Sequence, residues 1–184
     1  MKHNISDWKL TEDTTEYENE YFAVTKQQLV QPNGKNKIYY VIKRPYPFSI
    51  VIPLTDKSHT YLIGQYRVPT QTVSWEFPMG GVPDKKNPLE IAQQELKEET
   101  GFTARTWKEI GLFYPVGGVM NQRGYVYVAS DLEPGPSAPE SGEFLELQIV
   151  PLSDIPLLIK NKTITDGPTI VAYQYYLLDA SSSA

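Results

Sequence analysis

Residues 87–101, NPLEIAQQELKEETG, constrain this chain most, because both ends of one helix can be read from them. Asn87 is a good N-cap, Pro88 suits the first helical position, and Glu90 can complete a capping box. Gly101 is the expected residue just past the C-terminus. Leu89, Ile91, Ala92 and Leu96 form an apolar stripe that needs a layer to pack on. Glu95, Glu98 and Glu99 stand at i, i+3 and i+4, so they share a face with Cβ atoms roughly 5–6 Å apart. Glu98 and Glu99 also lie at the negative end of the helix dipole, which adds roughly 0.3–1 kcal/mol of repulsion. On an enclosed face each pair would repel by about 3 kcal/mol at an effective dielectric of about 20. A divalent cation would turn that repulsion into attraction. The plain alternative is a solvated acidic helix face; the residues on either side of the helix argue against it.

The chain has 184 residues, 40% of them hydrophobic, enough for one good core or a core with a small added layer. A net charge of −5 argues against nonspecific binding to nucleic acid or anionic membrane, so neither is expected as a partner. An acidic protein that handles a polyanion needs metal ions or a local arginine cluster. Cysteine is absent, which excludes disulfides, thiolate zinc sites and cysteine nucleophiles. The histidines are His3, near the N-terminus, and His59, in the polar turn that begins at Asp56; neither position suits a catalytic histidine. MKHNISDWKL has no apolar leader region, and no stretch approaches 18 consecutive apolar residues. The expected location is the cytoplasm.

Residues 20–31 and 37–43 read as strands around Pro32-Asn33-Gly34-Lys35, a strong hairpin signal. Residues 48–54 and 60–67 form a second strand pair, and another strand is expected at 73–77. After the helix come strands at about 105–114 and 123–129, a loop over 131–142, a strand at 143–150, and helices at 153–161 and 168–178. Asp166 and Gly167 precede the last helix as cap and turn, and Ser181-Ser182-Ser183 reads as a frayed tail. Many strands and few helices in this order give an α+β fold rather than a regular βαβ repeat. Two prolines at 44–48 mark a boundary between an N-terminal β-sheet region, residues 1–45, and a main domain, residues 46–184. The first is too thin to be stable alone and should lie on the main domain or on a partner subunit.

Gly80 to Phe102 resembles the box of the Nudix hydrolases, G-x5-E-x7-R-E-U-x-E-E-x-G-U, with U a bulky apolar residue. Gly80, Glu95, Leu96, Glu98, Glu99, Gly101 and Phe102 fall in register without a gap. Outside the box, Gln65-Tyr66-Arg67 and Trp75-Glu76-Phe77-Pro78-Met79-Gly80 are similar to signatures of the branch that hydrolyses ADP-ribose and nucleoside diphosphate sugars. Tyr114-Pro115, Gly117-Gly118 and Asp166-Gly167-Pro168-Thr169-Ile170 are similar to that branch's later motifs.

The resemblance implies a Nudix fold, in which mixed β-sheets are sandwiched by helices, preceded here by a small antiparallel sheet. It implies Mg²⁺-dependent hydrolysis of the pyrophosphate bond of ADP-ribose or a related nucleoside diphosphate sugar, with Mn²⁺ as an alternative ion. Metal would be held by Glu95, Glu98, Glu99, Glu143 and the backbone carbonyl of Met79. Arg67 would contact the substrate's phosphates, with Trp75, Glu76 and Gly80 beside it in the substrate site. Proton transfer would fall to Glu98 and Glu99 and to a loop glutamate. Glu143 aligns better with the family's residue, and Glu140 stands on the loop where it could swing in as base. The N-terminal sheet implies a homodimer.

Two positions depart from the box: Lys86 stands where the family has glutamate, and Gln94 where it has arginine. Gln94 can donate a hydrogen bond but carries no charge. Retained hydrolysis is the leading expectation. A nucleotide-binding module on the same fold is the alternative that these departures favour.

Overall fold

The computed structural model describes residues 4–136 and 144–182. Clustering of contacts divides the chain into two compact units. One takes the chain as far as Tyr46 together with Val116–Gln122; the other comprises Pro47–Pro115 and the chain from Arg123 onward.

The first unit is an antiparallel sheet of β1 (Lys9–Glu18), β2 (Ala23–Val30) and β3 (Asn36–Lys43), in the order β1-β2-β3. Gly34 turns the β2–β3 hairpin with a φ of 81°, which is why Asn-Gly stands there, and its N–H donates to the Gln31 carbonyl at 2.8 Å. The segment 116–122 is tied to β3 and the residue that follows it. Ile42 N–H donates to the Val119 carbonyl and Arg44 N–H to Asn121 Oδ1, both at 2.9 Å, and the Tyr39 hydroxyl donates to the Gly118 carbonyl. β1 was not expected from the sequence. KLTEDTTEYE carries no apolar alternation, and every one of its positions is exposed.

The second unit is built on β4 (Phe48–Pro53), an unbroken apolar run apart from Ser49, and it is buried at all six positions. It sits inside a four-stranded sheet ordered β7-β4-β9-β8, with β7 (Met79–Gly81), β8 (Phe102–Phe113) and β9 (Gly124–Pro134). β4 and β9 run parallel; the other pairs are antiparallel. Side chains alternate across β4, so both faces need cover. Val51 packs with Ala92 and Leu96 of α1 (Pro88–Thr100) and with Tyr127 and Ala129 of β9. Ser49 points the same way, and its hydroxyl donates to the Pro88 carbonyl at 2.7 Å, pinning the start of α1. Phe48, Ile50 and Ile52 face the other side. There they join Leu62 of β5 (His59–Arg67), Phe77, Ile155 of α2 (Ile155–Lys160), and Ala172 and Tyr173 of α3 (Gly167–Ser182). β5 is the middle strand of a second sheet, β10-β5-β6, completed by β6 (Thr72–Glu76) and β10 (Leu145–Pro151). Each fully buried aliphatic side chain in these clusters contributes roughly 1.5–3 kcal/mol.

The caps of α1 form as the sequence requires. Asn87 accepts the Leu89 N–H at 2.9 Å, and Gly101 takes φ 77° while its N–H returns to the Lys97 carbonyl at 2.9 Å. Three boundaries differ from expectation. β8 begins at Phe102, directly after that cap, rather than near 105. β9 continues to Pro134, into the stretch expected as loop, because it keeps pairing with β8 out to Phe102↔Pro134. α3 runs to Ser182 rather than 178, and the hydroxyls of Ser181 and Ser182 both fold back on the Leu178 carbonyl, so these two serines belong to the helix.

Candidate active site

The site is organised by the segment Glu76-Phe77-Pro78-Met79-Gly80, which carries the chain from β6 of one sheet into β7 of the other. α1 lies against β7 and β4 with its acidic edge toward this backbone. Glu95 rests directly on Gly80: a Cβ built there would stand 2.1 Å from the Glu95 carboxyl carbon and Oε1. Gly80 is therefore needed for close approach of a carboxylate, not for a left-handed turn. One turn further along, Glu99 Oε2 accepts the Met79 N–H at 3.2 Å. Glu95 and Glu99 are thus seated on adjacent residues of one strand, both half-buried. Glu98 is turned to Gln94, whose Nε2 lies 3.1 and 3.2 Å from its two carboxylate oxygens. The glutamine occupies the box arginine's position and still reaches a glutamate, with an uncharged hydrogen bond in place of a charged one.

Arg67 and Glu76 close the site on the β5–β6 side. Arg67 Nε donates to Glu76 Oε1 at 2.9 Å and Nη2 donates to Oε2, a bidentate pair in which the Glu76 side chain is 1% exposed. The Arg67 side chain is 39% exposed, so it is removal of the arginine that would strand a buried charge, while Arg67 left without Glu76 could still be hydrated. Asp166 caps α3 by accepting the Thr169 N–H at 2.8 Å. Burial raises the Asp166 pKa above the usual carboxylate value, and the neighbouring Glu76 charge raises it further. Glu76, more weakly aided by Asp166 and Glu99, raises the pKa of Arg67. These four charged groups, from β5, β6, α1 and α3, therefore share one neighbourhood. A shallow pocket of about 240 Å³ opens there, lined by Arg67, Ser74, Glu76, Asp166 and Gly167 among others.

The remaining expected residues are placed as follows. Trp75 faces its cross-strand partner Gly64, where a Cβ would meet the indole at 3.0–3.2 Å, and its ring packs on the core. Lys86 is exposed and makes no ion pair among the described residues. Glu140 and Glu143 lie outside the described residues. The sequence singles out Thr169 only as part of the motif Asp166-Gly167-Pro168-Thr169-Ile170 and assigns it no role at this site.

Among the described residues, no three carboxylates or imidazoles converge into a ready-made cage for a metal ion. Glu95 and Glu99 on the Met79–Gly80 backbone suit an open site instead. Mg²⁺ is characteristically bound through one or two carboxylates, with water and substrate phosphates filling the remaining positions. The donor set consists wholly of oxygen, as a hard divalent cation requires.

Residues 45–172 match the NUDIX domain. Over 155 residues the chain is 30% identical to an ADP-ribose pyrophosphatase of Bacillus subtilis, covering 83% of each protein. It is 25% identical over 180 residues to an ADP-sugar pyrophosphatase of Mus musculus, covering 89% of this chain and 78% of that protein. The crystal structure of an ADP compounds hydrolase superposes with a TM-score of 0.89 at 21% identity, covering 100% of this chain and 99% of the other.

Proposed function

The chain belongs to the NUDIX domain family, and from that premise we propose that it hydrolyses the pyrophosphate bond of ADP-ribose or a closely related nucleoside diphosphate sugar. Water adds across the P–O–P bridge. Its oxygen joins one phosphorus, the bridging oxygen leaves with the other phosphate, and a nucleoside monophosphate, a sugar phosphate and protons result. The observation that carries this reading is the seating of Glu95 and Glu99 on the backbone of Met79 and Gly80, the arrangement that makes sense of the conflicting charges on α1.

Glu95 and Glu99 would hold Mg²⁺ or Mn²⁺, with Glu98, Glu143 and the Met79 carbonyl completing its environment. When bound, the ion supplies charge neutralisation on the phosphates and a lowered pKa for water. The protein's own groups do the rest. Glu76 holds the Arg67 guanidinium in a fixed plane beside the site, where it can present its remaining N–H groups to a phosphate oxygen. Carboxylates take the proton from water, and we assign that role among Glu98, Glu99, Glu140 and Glu143. Gln94 still reaches Glu98, which favours a working centre over a binding module that has lost its chemistry.

The chain is further proposed to act as a homodimer. Tyr17, Ile38 and Tyr40, which the strand register places on one face of the small sheet, are each 53–56% exposed, an apolar surface suited to a second copy. No described helix is long and apolar enough to cross a membrane; we place the enzyme in the cytoplasm.

The test is to incubate the protein with a panel of nucleoside diphosphate sugars and Mg²⁺ and to look for the nucleoside monophosphate. Release from ADP-ribose or a relative, abolished by a chelator, is the expected result. Nucleotide binding without release would favour the sensing module.

A further inference from the structure

The segment that seats Glu95 and Glu99 is held from several sides of the second unit, and its Met79 and Gly80 pair with Ile50 and Ser49 of β4. Arg67 grips Glu76 from β5, and Val51 N–H of β4 donates to the Pro78 carbonyl at 2.9 Å. Met79 and Gly80 meet α1. The one remaining anchor comes from α3: the Phe77 N–H donates to Thr169 Oγ1 at 3.0 Å. Phe77 and Thr169 are both 0% exposed, so no water can replace that acceptor. Because the Thr169 oxygen accepts there, its own proton is free to point elsewhere. The Thr169 backbone N–H is in turn taken by the Asp166 carboxylate at 2.8 Å.

We propose that Thr169 is a positioning residue of the hydrolytic centre, bridging the cap of α3 to the Phe77 amide and so holding the start of the segment that leads into the β4-paired Met79–Gly80 backbone under Glu95 and Glu99. The inference rests on the hydrolase reading given above but assigns a residue that neither the box nor the metal-site chemistry requires. A buried valine of the same shape would leave the Phe77 N–H without an acceptor and so destabilise the fold; stability alone therefore does not separate a structural from a positioning role, and metal affinity must be read beside it. Groups that orient metal ligands from behind typically change metal affinity or activity by roughly 10–100-fold when removed.

Thr169→Val, Thr169→Ser and the wild type separate the possibilities. The readouts are Mn²⁺ affinity of the free protein by electron paramagnetic resonance, and kcat and KM for ADP-ribose. Thr169→Val is expected to lose roughly tenfold in Mn²⁺ affinity and in kcat with little change in KM, whereas Thr169→Ser, which keeps the hydroxyl, stays within about threefold of wild type. Wild-type Mn²⁺ affinity and kcat in Thr169→Val would overturn the proposal, as would equal losses in the serine and valine variants. If Thr169→Val fails to fold by circular dichroism, Thr169→Ala with the same readouts takes its place. A wild type that binds Mn²⁺ but cleaves no nucleotide sugar would refute the hydrolase reading instead, and the Mn²⁺ affinities would still decide the role of Thr169.

Discussion

β4 is buried at every position and β1 is exposed at every position, although both are paired strands of three- or four-stranded sheets. The difference lies in what covers them. β4 has α1 over one face and α2, α3 and β5 over the other, so a strand of nearly pure hydrocarbon is stable there. β1 has neither face covered within its unit, and its composition reflects that: five acidic or basic residues and four threonines or tyrosines in KLTEDTTEYE. Hydrogen bonds alone stabilise a sheet weakly. The candidate site's segment hangs from the well-covered unit, while the other unit leaves apolar side chains such as Ile38 and Tyr40 exposed.

The largest effect should come from disturbing the best-covered region at its chemistry. Glu99→Gln removes a charge that repels Glu95, so the fold should keep or slightly gain stability. Turnover should nevertheless fall by roughly two orders of magnitude or more, as the charge that attracts the cation is lost. Steady-state kinetics at saturating Mg²⁺, paired with thermal unfolding, checks both halves; near wild-type turnover would remove Glu99 from the metal site.

Next in size is a direct contrast between the two units. Ile52→Ala empties a fully buried position and should destabilise by about 2–5 kcal/mol, while Ile38→Ala, at 53% exposure, should change the stability of a monomer by no more than about 0.5 kcal/mol. Denaturant unfolding at two protein concentrations turns this into a test of assembly. A penalty for Ile38→Ala that approaches that of Ile52→Ala at high protein concentration and shrinks with dilution means that a second copy covers the face. Light scattering that gives 20.9 kDa, the mass of one chain, across micromolar concentrations would remove the dimer.

What could be read in the sequence follows the same division. α1 was legible to the residue because its signals are local: Asn87 and Gly101 cap it through bonds to Leu89 and Lys97. β4 and β5 were legible because apolar runs bounded by turn residues have few other fates. The closure of the site was not. Arg67 and Glu76 are nine positions apart and meet only when β5 and β6 pair, and Phe77 and Thr169, separated by 92, meet only once α3 has packed on the core. β1 was missed because a strand with no buried face leaves no hydrophobic period. The box glycine was recognised by its place in a pattern, yet its reason, a carboxylate lying where a side chain would be, required coordinates.

A smaller effect concerns pH. Asp166 has a folded-state pKa raised by burial and by Glu76, so its contribution favours the folded state below the unfolded carboxyl value of about 3.9 and is lost as pH rises through the folded value. Asp166→Asn keeps a good N-cap and removes that titration. Relative to wild type, the variant should therefore gain stability on going from acid to neutral pH, by about 1 kcal/mol or less after allowance for partial exposure. Unfolding midpoints at several pH values would show it; a variant that instead loses stability relative to wild type on going from acid to neutral pH would mean that the Thr169 hydrogen bond to the charged form dominates.

The smallest expected effect asks whether the solvent edge of α1 can be made as firm as its inner edge. Gln94 holds Glu98 by a neutral donor, and replacing it with arginine substitutes a charge-assisted bond, worth roughly 1.5–3 kcal/mol against about 1 for the amide. Exposure screens much of that difference, so a several-fold rise in turnover and a lower Mg²⁺ requirement are reasonable for Gln94→Arg. Lys86 is exposed and unpaired among the described residues, so Lys86→Glu should act independently of it, through added negative charge near the site. The two changes then combine additively in a double-mutant cycle. A coupling well above about 0.5 kcal/mol would mean that Lys86 does reach the glutamates once cation and substrate are bound. No change in either single variant or the double variant would mean that the outer edge of α1 does not tune the centre, and that the seating of Glu95 and Glu99 on β7 is sufficient without it.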